Sequence, residues 1–424
     1  VPNNIELTES VFAGLVLIEL GGALQICRNM SHRVTKEFTE KPGGNPVGAS
    51  VMVRKPYRFT VAKGLNYQPQ PTVDTMTPVT LNQVAQVSFD WNSYEKTLLL
   101  RDAMEWYIRP MASAMASTIN AEAGTFIAQN TFNSVGTPGT APVNESTYLS
   151  AGDLLVAQGL PEKELGRSVL IINRRMSSAF VSGMRATFNP QTVISKQLEE
   201  GEMYSDLLGY RIEKDQTINQ ATIGTYSGSP VVNGANQTAD GGNNATMVLN
   251  TNGWGSGTTT INQGDKFVLG SATSATVGGV NSTHPQTHRD TGYQQQFTVL
   301  QTISDTAGAI NMLVSPAITP YAQYQNVTAA AVANAIITLV GASGATAQQG
   351  ILVHPEAFAF VSAPLEAPRQ GEGALVKRMT DPRTGISMRI INAFDYKGSG
   401  HINRADVLYD FSSLYREACC VIQA

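Results

Sequence analysis

The sequence is short of charge, cysteine, aromatic residues and long apolar runs. Only 15 % of its 424 residues are charged, against roughly 25 % in ordinary soluble domains. Three cysteines, Cys27, Cys419 and Cys420, form no pattern of paired spacings, which excludes a disulfide framework and points to a reducing compartment. Basic charge is scarce as well: 29 Lys and Arg against 33 Asp and Glu leave a net charge of −4 and a pI near 5.8. That balance argues against a nucleic-acid-binding domain, whose footprint is basic. No run reaches the roughly 20 apolar residues of a membrane helix. The apolar stretch 11–20 has Glu6, Glu9 and Glu19 around it and no Lys or Arg before it, so it does not read as a secretion signal.

Catalytic patterns are also missing. There is no P-loop, no dinucleotide glycine fingerprint after a strand and no nucleophile elbow. The glycine loop at 253–257 lacks the flanking strand and helix that phosphate binding needs. His32, His284, His288, His354 and His401 are scattered, and Pro285 denies His284 and His288 a shared helix face. Glu199, Glu200 and Glu202 read as a solvated helix edge, and nothing beside Cys27 would activate a thiolate. An enzyme is not expected, and no catalytic, cofactor-binding or metal-ligating residue is assigned. A low-charge, polar-uncharged chain suits extensive subunit contacts or a β-rich extracellular protein, and both remain open.

What is present begins with a helical stripe over 102–132. Met104, Ile108, Met111, Met115, Ile119, Ala123 and Phe126 recur every three or four residues, which places them on one face. Glu105, Arg109, Ser113, Ser117, Asn120 and Gln129 fall on the other. Pro110 predicts a kink or a fresh start, with Asp102 as outer cap.

Residues 1–48 read as an arm whose short helix starts at Thr8 or Ser10 and runs to Asn29, weakened by Gly14, Gly21 and Gly22. The turn-rich hinge at 40–46 makes a neighbouring subunit the expected partner of its apolar face; packing on its own domain is the alternative. Two extended runs, 50–61 and 77–89, predict a long hairpin with Arg54, Lys55, Arg58 and Lys63 along its sides. The prolines at its tip oppose regular pairing. With little core of its own, such a ribbon should lie on another surface. Its basic residues are expected at an inter-subunit contact, facing carboxylates, rather than on phosphate.

An α/β layer follows the linker 133–143. It comprises a helix over 150–158, a buried strand over 168–173, a helix over 175–187 and a strand leading from 209–213. From about 215 the chain turns rich in Thr, Ser, Gly and Asn, with short strands up to 314, and then resumes with helices expected over 329–340 and 356–363 around a strand at 350–353. An inserted domain explains that interruption. The final section, 385–424, is β again and is expected to flank the long helix.

This order of parts resembles the major capsid protein of tailed bacteriophages, the Hong Kong phage capsid fold. Several stretches are similar to the branch typified by the coat protein of a short-tailed Salmonella phage: VMVRKPYRFT at 51–60, IRPM at 108–111, GDKF at 264–267, NSTHPQT at 281–287, VSPAI at 314–318 and HPEAF at 354–358. The resemblance implies an α+β fold with an N-arm (1–48), an E-loop (49–88) and a peripheral domain with a spine helix (89–145 and 384–424). It further implies an axial domain (146–215 and 315–383) and an inserted β-barrel domain (216–314). The spine helix would turn Met104, Ile108, Met111, Met115, Ile119 and Phe126 to the core.

The implied function is structural: self-assembly into hexamers and pentamers of an icosahedral shell enclosing double-stranded DNA, without sequence-specific binding. The implied partners are further copies of the chain, a scaffolding protein, a portal protein and a decoration protein. Assembly would take place in the bacterial cytoplasm and the product would be the virion. Some members crosslink an E-loop Lys to a neighbour's Asn. Lys55 and Lys63 lie in that loop, but the rest of that motif is not matched and the crosslink is not carried over. The alternatives are a β-rich surface or adhesion protein and an encapsulin-like compartment.

Overall fold

A computed structural model describes residues 9–35, 38, 50–70, 72, 74–92, 107, 109–184, 201, 203, 206–218, 220–235, 237–239, 246–255, 257–271, 273–274, 279–366, 374–381, 385–395 and 400–424. Its contacts divide into two units: Val1–Val53, Pro78–Ala123 and Ala359–Ser412 form one, and Arg54–Thr77, Gly124–Phe358 and Ser413–Ala424 the other.

The first unit is built on a five-stranded sheet. Its central strand, Gly400–Ser413, pairs antiparallel with Gln83–Asn92 on one side and Ser387–Asp395 on the other, so that Ala405 faces both Val87 and Ile390. Ala374–Thr380 extends the sheet beyond Ser387–Asp395, and Phe358–Ala363 joins the central strand. Met388 and Ile390 are buried on one face, and on the other Arg389 pairs with the buried Asp406, Nη2 to Oδ2 2.5 Å.

Two expectations are corrected here. The 356–363 stretch opens with Pro355 and Glu356, which resembles a helix start, yet Phe358–Ala363 is a strand. Its aromatic and β-branched residues are buried on both faces, which a strand inside a covered sheet accommodates. The predicted hairpin is short: Ser50–Arg54 pairs with Met76–Thr80 only. Val84 and Val87 belong instead to the strand Gln83–Asn92, in the five-stranded sheet.

The arm helix, Glu9–Ala23, packs against Ala374–Thr380 and Ser387–Asp395 of its own chain rather than offering its apolar face to a neighbour. Val16, Leu17 and Leu20 are buried there, and Leu24, Ile26, Cys27 and Met30 continue the burial past the helix end. The chain is then stitched to the sheet at Ser31, whose carbonyl accepts the Phe360 N–H at 3.0 Å. Burial of these apolar side chains is worth roughly 1.5–3 kcal/mol each.

The long helix is Arg109–Asn130, 22 residues and about 33 Å. Pro110 is the second residue of this described span, and the residues just before the span, except Tyr107, lie outside the described ones. Met111, Met115, Ile119 and Ala123 are buried as the stripe predicts. Phe126 is half-buried and meets Phe358 edge-on at 6.0 Å. Asp102, Met104, Glu105 and Ile108 lie outside the described residues. Asn120, expected on the polar face, is buried: its Nδ2 donates to the Ala23 carbonyl at 2.9 Å, at the end of the arm helix. A side-chain amide is a low-cost way of satisfying such an orphan carbonyl.

The second unit holds a seven-stranded sheet. In order across it run Ser134–Gly136, Cys419–Gln423, Thr346–Val353, Val169–Ile172, Tyr210–Lys214 and Asp206–Leu207, with Gln220–Thr222 pairing beside Thr346–Val353. Val169–Ile172 is buried throughout, as its uninterrupted apolar run predicts. Helices Glu145–Ala157 and Arg174–Met184 supply Tyr148, Leu155, Met176 and Phe180 to one core with Leu170, Leu352, Cys420 and Ile422. The C-terminal strand thus belongs to this sheet, not to the one beside the long helix, because a fully buried CCVIQ run fits a central strand. Glu199, Glu200 and Glu202 lie outside the described residues.

Between Thr222 and Thr346 the chain leaves this sheet and returns to it at adjacent, paired residues. The excursion forms a second sheet of six strands, in the order Ile337–Leu339, Lys266–Leu269, Gln296–Val299, Ile310–Ser315, Met247–Trp254 and Gly228–Val232. Its two ends meet. Val232 donates to the Ala335 carbonyl at 3.0 Å and Asn334 to the Val232 carbonyl at 2.9 Å, so the sheet closes on itself with no long free edge. Inside lie Leu249, Ile261, Phe267, Phe297, Val299, Met312, Val314 and Ile337. The helix expected over 329–340 is absent. That stretch supplies the closing strand Ile337–Leu339 instead, which carries the inserted sheet past Val314.

Candidate interaction surface

The loop over 55–75 leaves the two short strands that flank it. Ladder pairing between its flanking strands ends where the Lys55 N–H donates to the Thr75 carbonyl at 2.9 Å. Pro56 and Pro69 then remove donors that a longer ladder would use. Side chains take over: Tyr57 Oη donates to Asp74 Oδ1, and Gln70 bridges back to Thr60, accepting its N–H at 2.9 Å and donating to its carbonyl. The apolar residues between and beyond these rungs point outward. Phe59 is 58 %, Val61 88 %, Leu65 106 % and Tyr67 89 % exposed.

The four basic residues separate into two pairs. Lys55 is buried, with its ammonium 5.5 Å from the centre of the Tyr415 ring. Burial pulls its pKa down to about 8, against the opposing pull of Glu417. Arg58 is half-buried; its guanidinium reaches Glu417 Oε1 at 3.4 Å and lies 5.9 Å from the Tyr324 ring centre. These two anchor the loop on its own chain. Arg54 and Lys63 are exposed, and among the described residues no carboxylate pairs with either. Glu417, Tyr415 and Tyr324 carry the anchoring, and no local sequence signal marks them, since they lie far from Lys55 and Arg58 in the chain.

A second cluster lies where the inserted sheet meets the end of the long helix. Lys266 is buried and its Nζ donates to the Ala128 and Gly264 carbonyls, both at 3.2 Å. Thr298 Oγ1 donates to the Gln129 carbonyl at 3.2 Å. Last-turn carbonyls of a helix have no partner inside it, and a cation there meets the negative end of the helix dipole. Gly264, at φ +92°, comes against Gln129 in a conformation that favours glycine. The Asp265 carboxylate accepts the Asn262 and Gly224 N–H groups at 2.8 and 3.0 Å. A cavity of about 320 Å³ lies beside these residues, lined among others by Gln129, Thr302 and Gln349. Burial depresses the Lys266 pKa to about 8 and raises that of Cys419 to about 12, so the neighbouring thiol is neutral. Among the described residues there is no group of three His, Cys, Asp or Glu side chains placed for a metal ion, and no helix long and apolar enough to cross a membrane.

No family model matches the chain, and no curated protein does. Solved structures similar to it include one of Mycobacterium phage Che8, at 13 % identity over 94 % of this chain and 90 % of that one, TM-score 0.42. Another is the asymmetric unit of the bacteriophage PhiM1 mature capsid, at 8 % identity over 89 % and 82 %, TM-score 0.42. A third is a virus-like particle from Pyrococcus furiosus, at 7 % identity over 99 % and 100 %, TM-score 0.41.

Proposed function

We propose that this chain is the repeating subunit of an icosahedral shell, a major capsid protein of the tailed-phage type with an inserted β-barrel domain, assembling into hexamers and pentamers around double-stranded DNA. The observation that carries the reading is the loop over 55–75. Its root is fixed to the chain by Lys55, Arg58 and Gln70, while Phe59, Val61, Leu65 and Tyr67 are left to water. A rigid mount carrying an apolar tip is the form of a contact waiting for a partner. A low charge content suits a surface covered by copies of itself. A net charge of −4 suits a wall that encloses DNA without gripping it. The sequence resemblance supplies the identity of that partner, a neighbouring copy, and the remaining components: scaffolding, portal and decoration proteins.

The test is a double substitution at the tip, Val61→Asp with Leu65→Asp. Both side chains are exposed in the single chain, so its thermal unfolding should stay within a degree or two of wild type while assembly, followed by light scattering, is abolished. Unchanged assembly would remove the loop as the contact and the main support for a shell.

A further inference from the structure

The loop's rungs are held from outside as well as from within. Gln70 Oε1, which accepts the Thr60 N–H, also accepts Gln323 Nε2 at 3.3 Å. The next residue, Tyr324, presents its ring to the Arg58 guanidinium at 5.9 Å. Gln323 and Tyr324 sit in a short segment tied firmly to the inserted domain. Thr319 donates its N–H to Asn326 Oδ1 at 2.9 Å and accepts the Asn326 N–H at 3.0 Å. Thr319 Oγ1 donates to the Ala239 carbonyl at 2.8 Å, and Asn326 accepts the Thr283 N–H at 3.0 Å. Beneath this junction a cavity of about 40 Å³ is lined by Arg58, Phe132, Thr283, Tyr324, Asn326 and Glu417. Loop root, C-terminal segment and inserted domain converge around it.

We propose that the Gln323–Tyr324 segment is a bracket through which the inserted domain sets the inclination of the loop, making these two positioning residues for the contact that the loop makes with a second copy of the chain. The consequence for assembly rests on the shell reading; the bracket itself is a property of the single chain. The physical need is plain. Among the described residues no backbone ladder continues beyond Lys55 and Thr75, so without the bracket the limb beyond Thr60 and Gln70 is free to tilt. Leu65 lies five residues beyond both Thr60 and Gln70, up to about 16 Å along an extended limb, so a rotation of about 20° moves the tip by about 5 Å. An apolar contact does not survive a displacement of that size.

The experiment compares the full-length wild type with Gln323→Ala/Tyr324→Ala and, separately, Gln70→Ala. Amide exchange of Thr60 reports the rung, that of Lys55 reports the ladder at the loop base, and particle size after assembly reports the consequence. Loss of the bracket should accelerate Thr60 exchange about tenfold, the scale of one hydrogen bond, leave Lys55 unchanged, and make assembly products heterogeneous in size. Gln70→Ala should accelerate Thr60 to the same extent without touching the inserted domain. Acceleration in Gln70→Ala alone would overturn the proposal, because the loop would then hold its own rung. So would shells of wild-type size from a double variant with fast Thr60 exchange. A wild type that forms no shells defeats the shell reading, and the Thr60 comparison still decides the bracket.

Discussion

Replacing Lys266 with Met should change how stability depends on pH more than it changes stability at neutral pH. The ammonium is buried against the Ala128 and Gly264 carbonyls. Its pKa falls from 10.5 to about 8 on folding, which corresponds to about 3 kcal/mol. Between those values the unfolded chain keeps the proton that the folded chain has shed, so wild-type stability rises with pH across that window. The contribution is fully present above pH 10.5 and is lost as pH falls through 8. At pH 7 the ammonium is buried and charged. Met then removes both the desolvation cost and two hydrogen bonds, and the opposing changes should leave the variant within about 1 kcal/mol of wild type. Urea unfolding of both proteins at pH 7 and pH 10.5 measures the effect. The wild type should gain about 3 kcal/mol on the variant between those two values. Lys55, which titrates in the same range, is common to both proteins and cancels. A difference that stays constant with pH would refute the picture of a dehydrated ammonium capping the helix.

Two further outcomes follow from the same geometry. Reversing the charge of the exposed pair, Arg54→Glu with Lys63→Glu, should weaken assembly and reverse its salt dependence, while the same change at Arg58 should destabilise the single chain by breaking its contact with Glu417; unchanged salt dependence of assembly for the first pair would remove it from the interface. Residues 223–345, expressed alone, should give a dispersed NMR spectrum, because their sheet closes on itself and encloses its own core; a collapsed spectrum would show that the domain needs the rest of the chain.

The sequence made the continuous elements legible and the long-range ones obscure. The apolar run Val169–Ile172 has one physical solution, a covered strand, and Met111, Met115 and Ile119 fix the buried face of their helix by spacing alone. The change of composition near residue 215 marks the place where the chain leaves one sheet to build another. By contrast, Phe358–Ala363 and Ile337–Leu339 follow helix-like local cues and become strands because a neighbouring strand is waiting for them. The arm helix shows a related limit of pattern: amphipathicity tells that a face will be buried, not on which surface. Lys55 and Arg58 looked the same as Arg54 and Lys63. What separates them is Glu417 and Tyr415, some 360 residues further along, and no local pattern encodes that distance.

Electron microscopy of the purified chain under assembly conditions decides whether it forms a shell. Closed particles built of sixfold and fivefold clusters are expected, with the 55–75 loop of each subunit seated on a neighbouring copy through Phe59, Val61, Leu65 and Tyr67. Monomers or fibres under assembly conditions, or closed particles in which that loop stands free in solvent, would contradict that expectation.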